Sequence, residues 1–271
     1  SANVAGLNFV DVQTLNLSLL NDLNLDSSAD ITGVDLTSVV VTGTGDFDLN
    51  TNTITGSSST RVAFNASSLS GSATLNLDGT TNGVANIQTG SASDSIKIDG
   101  VTADSGGFVI VSNESDDTIR ITTNGDGSSA KININAGGGG SDTLSLAAGV
   151  DLSGSNLTLT SVERILLTGG GTTQKIAASD VSGASLKLAE DGTGTAVFTV
   201  VADQSTINLS NFTFASSFAS GTDSVVVNAS SFGPGVTVTG TSGNDSITGS
   251  NVDDNLSCLL YTSDAADDVL W

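Results

Sequence analysis

Apolar residues recur at every second position in short runs along the whole chain. Leu15, Leu17 and Leu19 alternate with polar neighbours, as do Ile96 and Ile98, Ile119 and Ile121, Leu144 and Leu146, and Val225 and Val227. A period of two places alternate side chains on one face of a strand. Clusters of Gly, Asn, Ser and Asp separate the runs and supply turns. The pattern predicts an all-β protein, with helix limited to a short piece at Lys175 to Ser179, ended by Asp180 and Gly183, and a turn or helical piece at Val162 and Glu163.

A longer spacing lies over this alternation. The triplet Asp, Ser or Thr, then Ile, Leu or Val begins at Asp94, Asp117, Asp142, Asp223 and Asp245. The intervals are 23, 25, 81 and 22 residues, and the 81 divides into three or four similar lengths. A repeat of roughly 20–25 residues predicts an elongated β-solenoid, a parallel β-helix or β-roll whose coils cover one another. Tandem β-sandwich domains followed by the start of a β-roll are the alternative, because evenly spaced short strands suit both. In a solenoid Asp94, Asp117 and Asp142 come to one edge. Carboxylates stacked at about 4.8 Å repel unless cations or hydrogen bonds intervene. Two readings stay open there: a ladder of calcium ions, or Asp side chains bonded to backbone N–H groups.

Two nine-residue units stand in tandem at 240–257, GTSGNDSIT and GSNVDDNLS, and a third, GGGGSDTLS, stands at 137–145. Gly and Asn close tight turns, and the turns offer carbonyls and an Asp carboxylate to a hard, oxygen-seeking cation. These units resemble the RTX (repeats-in-toxin, haemolysin-type) nonapeptide. The resemblance implies calcium as cofactor, with Gly137, Gly138, Gly140 and Asp142 in the isolated copy and Gly240, Gly243, Asp245, Gly249 and Asp254 in the pair as the site, joined by Asp94 and Asp117. Thr241 and Ser250 replace the second Gly of the pattern, and Val252 the third. The chain then divides into a β-strand repeat region (1–79), a solenoid (80–239), the nonapeptide pair (240–257) and a tail (258–271). The tail resembles sequencing-adapter read-through, and no chemistry is drawn from it.

Composition narrows the function. Seven Lys and Arg oppose 29 acids, a formal net charge of −22, and 26 of the acids are Asp. Asp favours turns and oxygen-ligand sites over helix surfaces. The basic residues are scattered singly, so no basic patch for phosphates is expected and nucleic acid is not a partner. There is no His, which removes the commonest general base, and neither G-x-S-x-G nor H-E-x-x-H occurs, so the expectation is a protein that is not an enzyme. No 18-residue apolar run is present, so no membrane span is expected. Without Met or a signal peptide the sequence reads as a fragment or processed product.

Together with the texture of NASSLSG and ATLNLDG, similar to S-layer and other large surface proteins, the resemblance implies a secreted, extracellular structural module. It would be calcium-stabilised, S-layer-like, exported by type I secretion, and would associate with itself or other cell-surface components. Two alternatives carry over: a calcium-dependent adhesin binding glycans, for which Phe212, Phe214 and Phe218 are the one aromatic cluster, and a fragment of an RTX-secreted β-helix lyase or epimerase.

Overall fold

In a computed structural model the chain is described over residues 2–4, 6–25, 29–50, 53–56, 61–78, 84–100, 107–123, 130–192, 194–219 and 221–259, with 2–4, 78 and 84 as backbone only. These residues form a parallel β-solenoid of about nine turns. Its longest wall is a ten-stranded sheet that the chain revisits once per coil, from Ala2–Val4 to Thr213–Phe214. Successive strands of this wall begin 21 to 26 residues apart, the extremes being Thr143 to Arg164 and Phe47 to Ala73. Pairing is parallel throughout the described strands. The sandwich alternative therefore falls, since sandwiches are built from antiparallel pairs.

The cross-section changes along the axis. The first three coils carry three strands each, for example Leu23–Leu25, Ile31–Gly33 and Ser38–Gly43. The next four carry two, such as Ser95–Asp99 and Phe108–Val111, the second wall being a seven-stranded sheet from Thr14–Leu19 to Asn156–Thr160. Beyond Leu167 a four-stranded and a three-stranded sheet complete the coils. Strands on either side of residue 80 pair in the same two sheets.

Side chains inside the coil line up in columns. Ile96, Ile119, Leu144, Ile165 and Leu188 form one and Ile98, Ile121, Leu146 and Leu167 the next, all buried. Each such side chain removed from water contributes roughly 1.5–3 kcal/mol, so the core grows coil by coil. Phe47 packs on Phe64 with ring centroids 5.6 Å apart. Phe212 and Phe218 are buried and Phe214 packs against the core, so the aromatic cluster lies mainly inside.

One local expectation is corrected and one alternative is decided. Thr173–Ala177 is a strand paired with Val197–Val201, and the helix is the single turn Ala178–Val181. Gln174 and Ile176 face the core in register with Phe198 and Val200, and this packing outweighs local helix preference. Around Glu163 there is a turn with Ser161 at φ 53°, and no helix.

Candidate metal-binding edge

The column that opens the first strands of the long wall and lies one residue before the later ones reads Leu23, Phe47, Ala73, then Asp94, Asp117, Asp142, Glu163, then Leu186 and Phe212. Four acids thus stand in a position that is apolar in the coils before and after. Each of the four accepts the backbone N–H of the residue stacked on it in the preceding coil. Ala73 N donates to Asp94 Oδ1 (2.7 Å), Asp94 N to Asp117 Oδ1 (2.8 Å), Asp117 N to Asp142 Oδ1 (2.8 Å) and Asp142 N to Glu163 Oε2 (2.9 Å). The sequence expectation that Asp94, Asp117 and Asp142 share one edge holds, and their contacts are those of the backbone reading.

A second ladder runs beside the first in the opposite sense. Asp46 N donates to Asp22 Oδ1 (3.1 Å), Ser72 N to Asp46 Oδ1 (2.7 Å) and Ser141 N to Asp116 Oδ1 (2.7 Å), so these outer carboxylates hold the coil that follows. The inner device recurs on the other walls, with Ala196 N on Asp223 Oδ1 (2.8 Å) and Val236 N on Asp254 Oδ1 (2.8 Å).

Burial acts on the inner ladder. Asp94, Asp117 and Asp142 are 4%, 1% and 1% exposed, so their charged forms lose hydration. Desolvation pushes the Asp117 carboxyl up to about 7, with the charges of Asp94 and Asp142 adding to it against the hydrogen bonds from Asp94 N and Ser112. Asp94 and Asp142 are raised for the same first reason. The Thr89 hydroxyl lies beside Asp94 and that of Ser112 beside Asp117, yet Oδ2 of both acids is sealed from solvent without a well-formed hydrogen bond.

The tandem nonapeptides are self-closing turns. Asp245 accepts Thr241 N on Oδ2 (2.7 Å) and Thr241 Oγ1 on Oδ1 (2.7 Å), and Asp254 accepts Ser250 N on Oδ2 and Ser250 Oγ on Oδ1 (both 2.8 Å). The residues that replace the second Gly are therefore the ones that engage the Asp. A Cβ on Gly240 would overlap Asp245 Oδ2, and one on Gly249 would overlap Asp254 Oδ2. The Gly-to-Asp spacing of the motif thus leaves room for the carboxylate to fold back. Gly243 is held close by the Phe214 ring. Asp245 aligns with Val225, two residues out of step with the Asp223 triplet.

The isolated copy lies on the ladder edge. Gly137 (φ 82°) stacks against Asn113 (φ 68°), and Gly138 N donates to Asn113 O (2.6 Å). An open cavity of about 660 Å³ lies here, lined by Asn113, Glu114, Asn135 and Gly137 to Gly139 among others. Gly140 packs on the Asp116 carboxylate, and Asp142 turns inward to the ladder.

The structure therefore brings together Asp94, Asp117, Asp142, Gly137, Gly138 and Gly140 on one edge. It places Asp245 as the first residue of a strand of the four-stranded sheet (Asp245–Thr248) and Asp254 just before one of the three-stranded sheet (Asn255–Ser257), so these acids start different walls. Among the described residues no group of three or more His, Cys, Asp and Glu is close enough to hold a metal. The tandem turns, whose carboxylate oxygens all carry protein donors, fit calcium poorly. The cavity beside Gly137, with carbonyls, amide oxygens and Glu114, offers hard oxygen donors of the kind calcium takes. Sequence reasoning missed Glu114, Asp116 and Glu163 there. The Asp116–Asp117 doublet was the available signal, since adjacent residues before a strand point to opposite faces.

Stacking changes how far apart the basic residues lie. Lys97 and Arg120 are register neighbours, as are Arg164 and Lys187, so four of the seven basic residues gather on one face. Intervals of one coil length, which look like scatter in sequence, become stacking in a solenoid. Comparison of the chain with protein-family models, with characterised proteins and with solved structures finds no match. Among the described residues no helix is long and apolar enough to cross a membrane. Cys258 is exposed, and 260–271, most of the tail, lie outside the described residues.

Proposed function

We propose that this chain is a non-catalytic structural module of a secreted, RTX-type bacterial cell-surface protein, S-layer-like in role and stabilised by calcium. One observation carries the reading: Asp94, Asp117, Asp142 and Glu163 run along one solenoid edge as acceptors holding coil to coil, and among the described residues no three acids converge on a common point. Two adjacent ones, Asp94 and Asp117, keep a buried oxygen without a well-formed hydrogen bond. Such an edge gains from a nearby positive charge. Glu114 and the carbonyls of the Gly137 to Gly139 turn are the residues that would hold calcium. A bound ion would supply the charge that offsets repulsion among Asp116, Asp117 and Asp142. Binding to the folded chain alone raises its stability by mass action.

Scanning calorimetry of the full chain in millimolar calcium and in chelator tests this. The expected result is a Tm several degrees higher with calcium, and a smaller rise for Glu114→Gln. Identical melting in both conditions would remove calcium from the proposal and leave only the acidic scaffold.

A further inference from the structure

The outer face of the ten-stranded wall is polarised in charge. Lys97, Arg120, Arg164 and Lys187 each precede a buried Ile or Leu of the core columns and so point outward. Arg120 Nη2 reaches Thr168 Oγ1 (3.5 Å) two coils on, which carries its guanidinium towards the strand of Arg164. Among the described residues the one ion pair is Lys175 with Asp151, elsewhere on the coil. Asp99 lies beside Lys97 on this face, whereas Arg164 and Lys187, like charges stacked at about 4.8 Å, repel within one molecule.

The same wall is acidic at its start, where Asp22 and Asp46 are exposed and Asp48 is half-buried. Along the sequence, residues 1–60 hold seven Asp and no base, 61–187 hold all seven bases beside twelve acids, and 188–271 hold ten acids and no base. The strand of Asp48 and that of Arg164 are five steps apart in the wall, about 24 Å.

We propose that this face docks a second copy of the chain, staggered along the axis so that the acidic first coils of one copy lie over Arg120, Arg164 and Lys187 of the other. The inference deepens the scaffold reading by naming a partner. At 0.15 M salt the screening length is about 8 Å, so the contact is decided by charges facing each other and not by the net −22. A staggered contact of this kind is heterologous and does not close, so it extends into a row of copies.

Sedimentation velocity of the full chain in chelator, at about 50 mM and about 500 mM NaCl, tests it independently of calcium. The expected result is concentration-dependent assembly at low salt that disappears at high salt. Arg164→Glu with Lys187→Glu should weaken assembly at least about tenfold, roughly 1.4 kcal/mol. Mixing that variant with Asp22→Lys, Asp48→Lys should restore it, each variant being checked for native circular dichroism. Should the acidic-end variant not fold, loss of assembly in Arg164→Gln with Lys187→Gln decides the same point. A monomer at low salt, or assembly indifferent to the Arg164 and Lys187 changes, overturns the proposal. Capture of polygalacturonate by a monomer through this face would overturn it in favour of a glycan partner.

Discussion

At the residue scale the chain turns on Asp117. Its Oδ1 satisfies the N–H of Asp94, while Oδ2 is buried against Ser112. A carboxyl whose folded pKa is raised favours folding in its protonated form. Its contribution is full below the unfolded value of 3.8 and is lost as pH rises through about 7. In chelator the protein should therefore resist urea better at about pH 5 than at about pH 8, by roughly 2–3 kcal/mol from this residue. Asp94 and Asp142 shift in the same direction and add to the difference. Asp117→Asn keeps the acceptor for Asp94 N and puts an amide donor beside Ser112. It should match or exceed the parent at about pH 8 and flatten the pH dependence. Asp117→Ala strands a buried N–H and should cost roughly 1–3 kcal/mol at either pH. Equal urea midpoints at the two pH values would show that the ladder stays charged without penalty.

At the scale of the element, the turn Gly137 to Gly140 separates two reasons for a glycine. Gly137 has φ 82°, and a Cβ there would overlap the carbonyl of Asn113 in the coil below. Gly138 has open space around the position of a Cβ. Gly137→Ala should cost roughly 2–4 kcal/mol and Gly138→Ala within about 0.5 kcal/mol, measured by urea denaturation. A motif read for ligand binding treats the two alike, whereas stacking does not. This marks what the sequence could and could not tell. Alternation at Ile96, Ile98, Ile119 and Ile121 shows strands, and the interval between Asp94 and Asp117 shows a coil, because both periods repeat in the chain itself. Whether Asp142 turns out to an ion or in to a backbone N–H depends on its neighbour one coil away, which no local pattern records. For the same reason the Asp245 triplet looks identical to that of Asp223 but sits two residues out of register. Thr173–Ala177 was hidden too, since QKIAA is a fair helix former until Gln174 and Ile176 meet Phe198 and Val200.

At the scale of the whole molecule, each coil packs chiefly on those above and below, with long side chains such as Arg61 and Arg120 reaching two coils on, so stability is close to a sum of coil terms and interfaces. A whole coil should then be removable if the register closes. Deleting residues 118–142 joins Asp117 to Thr143 and lets Ser95–Asp99 pair with Thr143–Leu146 through the register each now shares with Thr118–Ile121. The same cut brings Phe108–Val111 against Asn156–Thr160, in place of Lys131–Asn135. The inner ladder also closes, because Asp94 N keeps Asp117 and Asp117 N meets Glu163, which now occupies the next coil. The shortened chain should melt cooperatively with a strand-type circular dichroism spectrum, its Tm lower by about 5–10 °C for the lost interface. Removing residues 118–130 instead takes half a coil, leaves Lys131–Asn135 without a matching wall and should abolish the cooperative transition. If both deletions behave alike, the walls do not act as independent stacks, and the coil is not the unit in which this chain is built.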